Sequence, residues 1–370
     1  MNYKDKVMIK PKDIFLFFLT VIPLLEILLI LFDDRGLQIW RRKIHLDMIH
    51  EEEGVKFGAF MKSDAFDKIL GWDDPAEVPS SETKYIAQSY GDSFTLTVSG
   101  ESWQKQFLKL NGQGIINLGS QGYGLDQAVL KHQKVSSNYN DIYNTKYSIL
   151  GINGEMYRKT LNYYAPNYFT TMQEAWFVFK PIYIKSNNSF KLILPPCDDK
   201  ICLINGLKDI NSDIYNNIKN YDYWFNHEIK KPELKFPRLL SYTIALPKII
   251  ELKMQRKYRA PYYFINNHSI DLAKYLILNF CETSYNQNIT PIILLMYSKY
   301  ELVGIMKNKR EDEWLLKYFR LNNIRYVDTS LQFLKYIEEG GDIDDLFGSD
   351  SLHFSIKGDS LVSTALIQAF

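Results

Sequence analysis

From Tyr85 onward the chain alternates short apolar runs with longer amphipathic stretches, and few folds tolerate that rhythm. The runs Tyr85–Ser89, Gly114–Leu118, Tyr147–Ile152, Pro291–Met296 and Ile324–Val327 have the length of strands. Between or after them come Ser102–Leu110, Leu125–Val135, Ile270–Asn279, Asp312–Leu321, Thr329–Ile337 and Asp359–Phe370, which read as amphipathic helices. Strand and helix in alternation predict an α/β fold: a three-layer α/β/α sandwich around a central parallel sheet covered on both faces. Ligands of such sheets bind outside the carboxyl ends of the strands. Residues that directly follow each apolar run are therefore the first place to look for chemistry.

Residues from about 156 to 260 break the rhythm and read as an inserted subdomain. Ile182–Ile184 and Phe190–Leu194, turning at Asn187-Asn188, predict a hairpin. The insertion is dense in aromatics, among them Tyr163, Tyr164, Tyr168, Trp176, Tyr221, Tyr223 and Trp224. Two readings stand side by side: a platform for sugar rings, or rings that pack an insertion with no large core of its own. Cys197 and Cys202 have the spacing of a small disulfide loop in an oxidising compartment. Cys281 reads as a small buried hydrophobe.

Ahead of this body, Ile14 to Phe32 is an apolar run of 19 residues, interrupted by Pro23 and Glu26. That length spans a hydrocarbon core of about 30 Å as a helix. No small-residue cleavage site follows, so the run is expected to stay as a single transmembrane anchor, the alternative being a buried core helix. The organisation expected is a tail over 1–13, an anchor over 14–32, a membrane-proximal helix and connector over 33–84, and a domain over 85–370 carrying the insertion. Lys4, Lys6, Lys10 and Lys12 before the run balance Arg35, Arg41, Arg42 and Lys43 after it, so basic residues do not orient the anchor. A net charge of +1, from 44 basic and 43 acidic residues, argues against a nucleic-acid partner.

The chemistry-bearing residues fall at the ends of the apolar runs. Gly91-Asp92-Ser93 follows the first run and sets a serine at the carboxyl edge of the sheet. A serine is a weak nucleophile until a base takes its proton, and the base needs a third group to fix its tautomer. His353, with Asp350 three residues before it, offers such a pair: the carboxylate would accept from Nδ1 and leave Nε2 facing Ser93. His45, His50, His132, His227 and His268 have ordinary surface or insertion settings. The tripeptide alone means little, since Gly358-Asp359-Ser360 repeats it at a helix start, where Asp359 or Ser360 reads as a cap. After the second run, Gly119, Gly122 and Gly124 make a loop whose N–H groups can approach a developing oxyanion, or an ordinary strand-to-helix turn. After the third, Asn153 is either an amide donor of the same kind or a turn residue before Gly154.

In these residues the chain resembles the SGNH, or GDSL-type, hydrolases. Gly91-Asp92-Ser93-Phe94-Thr95 is similar to their first block, with Ser93 at the nucleophile. Asn117 to Gly124 resembles the second, with Gly122 at the glycine that donates to the oxyanion. Leu150-Gly151-Ile152-Asn153 resembles the third, with Asn153 as the remaining donor, and Asp350-Ser351-Leu352-His353 has the terminal Asp-x-x-His pattern. The chain departs from the family at Gly154, where an aspartate is usual. The resemblance covers roughly residues 85–155 and 289–370. It implies a flavodoxin-like sheet and ester hydrolysis by Ser93, His353 and Asp350, with Ser93, Gly122 and Asn153 as the oxyanion hole. No metal or organic cofactor is implied. Together with the anchor, this predicts an esterase facing the periplasm or cell exterior, acting on O-acetyl groups of an envelope glycan or lipid. An O-acyltransferase, or a non-catalytic glycan-binding or assembly protein on the same fold, is the alternative.

Overall fold

The computed structural model describes residues 20–27, 66–73, 79–97, 101–165, 179–187, 189–197, 202, 205–206, 211–223, 267–349 and 352–370. Five parallel strands form the central sheet: β3 (Tyr85–Tyr90), β4 (Gly114–Asn117), β5 (Tyr147–Ile152), β8 (Thr290–Leu295) and β9 (Tyr326–Asp328), in the order β4-β3-β5-β8-β9. Numbered within the sheet alone, that order is 2-1-3-4-5, the flavodoxin-like arrangement. Its switch point lies between β3 and β5, the strands that precede Ser93 and Asn153.

Residues of one strand alternate between two cores, as the two-residue strand period requires. Ile116, Leu150, Ile152, Ile293 and Leu295 enter one cluster, against α3 (Leu125–Tyr143), α6 (Asn267–Asn286) and α8 (Glu313–Leu321). Ile115, Ile149, Ile292, Leu294 and Val327 enter the other, against α2 (Trp103–Asn111), α9 (Ser330–Glu338) and α10 (Ile356–Ala369). Each such side chain, once buried, contributes about 1.5–3 kcal/mol. Further helices among the described residues include α1 (Ser93–Leu96), α4 (Gly154–Lys159), α5 (Asp213–Tyr221) and α7 (Lys299–Met306).

Several boundaries differ from expectation. The stretch expected to end at Val135 continues as α3 to Tyr143, because Val135, Tyr139 and Tyr143 at i, i+4 and i+8 keep packing on the core despite the polar residues between them. Asn144, at a φ of 50°, then closes the helix. α10 begins at Ile356, and its cap is Ser355, whose Oγ accepts from the Lys357 and Gly358 N–H groups. Asp359 is therefore not the cap but a buried residue of the first turn. Part of the expected connector belongs to the body: β1 (Phe66–Asp67) and β2 (Gly71–Trp72) pair, and Leu70 and Trp72 are buried in the first core.

Of the insertion, β6 (Ile182–Ser186) and β7 (Ser189–Ile193) form the expected hairpin, and Cys197 is bonded to Cys202. Tyr163 and Tyr164 pack with Phe179, Ile182 and Ile218 in a small core of their own. Tyr221 packs edge-on against Tyr163 at the rim of that core and, with Tyr223, lines a cleft of about 270 Å³ together with Tyr183, Asn220, Lys185 and His268. Tyr168, Trp176 and Trp224 lie outside the described residues. A buried ion pair, Lys180 Nζ to Asp126 Oδ2 at 2.5 Å, ties the insertion to the first turn of α3.

The expected anchor falls mostly outside the described residues. Within it, 20–27 is helical, with Glu26 buried and Ile22, Leu24, Leu25 and Ile27 exposed. Among the described residues no helix is long and apolar enough to cross a membrane.

Candidate active site

At the end of β3 the chain turns through Gly91 and Asp92 into α1. Asp92 caps that helix, its Oδ1 accepting the Phe94 N–H at 3.0 Å. The cap seats Ser93 in the first turn, directly beyond the carboxyl end of the strand, where it is 7% exposed.

His353 arrives from the far end of the sequence on a loop stapled at both sides. Phe347 and Phe354 form an antiparallel bridge, and the Gly348 N–H donates to the His353 carbonyl at 2.8 Å. Phe354 is buried edge-on against Phe94, their centroids 5.2 Å apart. The Phe94 ring also lies 5.3 Å from the imidazole. The staple leaves the His353 Nε2 2.9 Å from the Ser93 Oγ, across 260 residues of sequence. That is within reach for direct proton transfer. Asp350 lies outside the described residues.

The glycine loop after β4 lies flat on α1. The Leu118 N–H donates to the Ser89 carbonyl and the Ser120 N–H to that of Gly91. A Cβ on Gly119 would come 2.5 Å from the Leu96 nitrogen, so only glycine permits the approach. Gly122 is buried with a left-handed φ of 76°. Among the described residues no acceptor takes the N–H of Ser93 or of Gly122.

Asn153 follows β5 and therefore stands beside the end of β3. Its Oδ1 caps α4, accepting the N–H groups of Glu155 and Met156 at 3.0 and 3.3 Å. Its Nδ2 donates to the Asp92 Oδ1 at 2.8 Å. The side chain is thus a helix cap and, through its amide nitrogen, a neighbour of the nucleophile's turn. One of its two N–H bonds is taken by Asp92.

Sequence reasoning gave no role to four charged residues around this edge. Lys159 Nζ lies 3.0 Å from Asp92 Oδ2, with both side chains buried. Asp73, from the expected connector, meets Lys131 Nζ at 2.5 Å, Ser120 Oγ at 3.1 Å and Tyr123 OH at 3.2 Å, and so clamps the glycine loop. Trp72 Nε1 adds a bond to the Gln121 carbonyl at 2.9 Å. The available signal was Lys131 itself, a lysine in the apolar stripe of Leu125, Ala128, Val129 and His132. A buried lysine of that kind requires a partner.

Two of the other histidines are described. His268 is half-buried beside Phe190. His132, expected in an ordinary surface or insertion setting, is fully buried, with its ring centroid 4.4 Å from Phe280 and 4.9 Å from Tyr90. Burial pulls its pKa down to about 3. Its Nε2 contacts Ser284 Oγ at 3.2 Å. That hydroxyl donates to the Phe280 carbonyl, so this second serine–histidine contact has no hydroxyl proton aimed at the ring. His45, His50 and His227 lie outside the described residues.

No family model matches the sequence, and no curated protein does. Among solved structures, one from Desulfitobacterium hafniense, described as a lipolytic protein of the G-D-S-L family, is similar at 11% identity and a TM-score of 0.37, covering 77% of this chain and 98% of its own. A member of the same lipolytic family from Veillonella parvula gives 9% and 0.34, covering 77% and 98%. A family 3 carbohydrate esterase from Clostridium thermocellum gives 11% and 0.32, covering 77% and 94%. These likenesses are slight, and the reading of the site rests on its own geometry.

Proposed function

We propose that this chain is a membrane-anchored serine esterase that removes acyl groups, acetyl foremost, from a glycan or lipid of the cell envelope. The observation that carries the reading is the 2.9 Å contact of His353 Nε2 with Ser93 Oγ at the switch point of a parallel sheet. Ser93 Oγ attacks the ester carbonyl while its proton passes to His353 Nε2. The tetrahedral oxyanion takes hydrogen bonds from the N–H groups of Ser93 and Gly122 and from the second N–H of Asn153 Nδ2. Each donor, correctly aimed, is worth about 2.7–4 kcal/mol. The C–O bond to the leaving alcohol then breaks as the imidazolium returns its proton to that oxygen. Water repeats the sequence on the acyl-enzyme, and Asp350 is assigned to hold the Nδ1–H throughout.

The anchor is proposed for residues 14–32 on the length of the apolar run. An exported domain is proposed with it, and the Cys197–Cys202 disulfide is in keeping with an oxidising compartment. The full chain in detergent is expected to hydrolyse p-nitrophenyl acetate and to react covalently with a fluorophosphonate. Ser93→Ala and His353→Ala are each expected to lower kcat by at least about a thousandfold. A folded wild-type chain that neither turns over nor labels refutes the reading.

A further inference from the structure

Asp92 and Lys159 stand beside the reactive pair without touching a reacting atom, and both are buried. A buried ion pair adds little net stability, because desolvation of the two charges offsets their attraction. This one is distinguished by what the carboxylate does besides pairing. Asp92 Oδ1 accepts from the Phe94 N–H and from Asn153 Nδ2, while Oδ2 accepts from Lys159 Nζ. The anion thus joins the nucleophile's turn, at the end of β3, to the amide at the end of β5.

The Asn153 amide has no rotational choice while this holds. Its oxygen is taken by two N–H groups of α4 and one hydrogen of its nitrogen by Asp92. The second hydrogen is left with a single direction. Lys159 occupies the last turn of α4, the helix that Asn153 caps, so helix and amide move as one piece. Its ammonium also lies 3.4 Å from Glu155 Oε2. Burial works against that ammonium, yet the Glu155 and Asp92 carboxylates outweigh it and raise its pKa. With two carboxylates on it, the charge is committed to holding them and not to the substrate.

We infer that Lys159 is a positioning residue for acyl transfer: by neutralising Asp92 in a dry site, it keeps that carboxylate an acceptor and so aims the second Asn153 N–H at the oxyanion. This rests on the esterase reading above. Without the lysine, Asp92 Oδ2 loses its ionic partner, the carboxylate is no longer held from that side, and the Asn153 amide loses its fixed direction. The glutamate after Gly154, where the related pattern has an aspartate, then has a role of its own as the second carboxylate on Lys159.

The test uses the full chain in detergent, with p-nitrophenyl acetate as substrate and a thermal melt to confirm folding. Lys159→Met is expected to lower kcat roughly ten- to a hundredfold with KM within about twofold, since the lost interaction belongs to the transition state. Lys159→Arg is expected to recover most of the loss. Asn153→Ala is expected to lower kcat roughly a hundredfold, and the double variant Asn153→Ala/Lys159→Met to fall no more than about twofold further, because both act through one amide. Where Lys159→Met does not fold, Lys159→Gln, which keeps an N–H donor but not the charge, carries the same expectation. Wild-type kcat in a folded Lys159 variant, or losses that multiply in the double variant, overturns the inference alone, provided wild-type turnover depends on Ser93. A wild-type chain without Ser93-dependent turnover overturns the esterase reading and this inference together.

Discussion

Replacing His132 by phenylalanine is expected to remove a large part of the protein's sensitivity to mild acid. The imidazole is fully buried among Tyr90, Phe280 and Ser284, and its Nδ1 has no hydrogen-bond partner. Burial holds its folded pKa at about 3, against an ordinary value of 6.5. The depressed value means the unfolded chain binds the proton first, so stability is full above pH 6.5 and is lost as pH falls toward 3. At pH 5 the unfolded histidine is almost wholly protonated and the folded one almost wholly neutral. The linkage then costs 1.5 units at about 1.36 kcal/mol each, or about 2 kcal/mol, against a few tenths at pH 7. Phenylalanine preserves the ring contacts, and Ser284 keeps its bond to the Phe280 carbonyl. The measurement is urea unfolding of both proteins at pH 7 and pH 5. The wild type should lose about 2 kcal/mol more than His132→Phe between the two pH values. Equal losses in both proteins would show that His132 is not the buried neutral group described, and the reasoning would fail.

Asp359 is expected to act in the opposite direction: no cation pairs with its buried carboxylate among the described residues, and burial, outweighing the Trp103 backbone N–H, raises its pKa to about 8. A raised folded pKa gives stability that is full below the unfolded value of 3.8 and is lost as pH rises toward 8. Asp359→Asn should therefore stabilise the chain by on the order of 4 kcal/mol at pH 7 and by little at pH 4, and equal gains at both pH values in urea melts would contradict this. Asp73→Asn removes the carboxylate that clamps Lys131, Ser120 and Tyr123, and should lower stability by about 1–3 kcal/mol and kcat with it. A variant with wild-type melting temperature and turnover would show that the glycine loop does not depend on that clamp.

Much of the fold was legible because it follows from local pattern. Apolar runs of strand length separated by amphipathic stretches leave a sheet covered on both faces as the simple arrangement, and the alternation of Ile115 and Ile116 between two cores is its direct expression. The ends of the runs were legible too, which is why Ser93, the glycine loop of 119–124 and Asn153 could be singled out before any contact was known. Length was read less well where tertiary packing overrode propensity. Nothing local extends α3 through Ser136-Ser137-Asn138, but core contacts of Tyr139 and Tyr143 do. The short helix α4 was missed because its apolar residues, Met156 and Tyr157, are too few to set a period.

The sequence by itself determined the layer architecture and the edge of the sheet where chemistry is to be sought, because periodicity and turn residues act over a few positions. Only the tertiary structure decided which charges meet. Lys159 finds Asp92 across 67 residues, Lys131 finds Asp73 across 58, and Lys180 finds Asp126 across 54. A buried charge is tolerated only beside its counter-charge, and no local pattern says where in space that partner will arrive. The same reason holds for Ser93 and His353: each stands at a readable position, but the 2.9 Å between them is set by the stapled loop and the packing of Phe94 on Phe354.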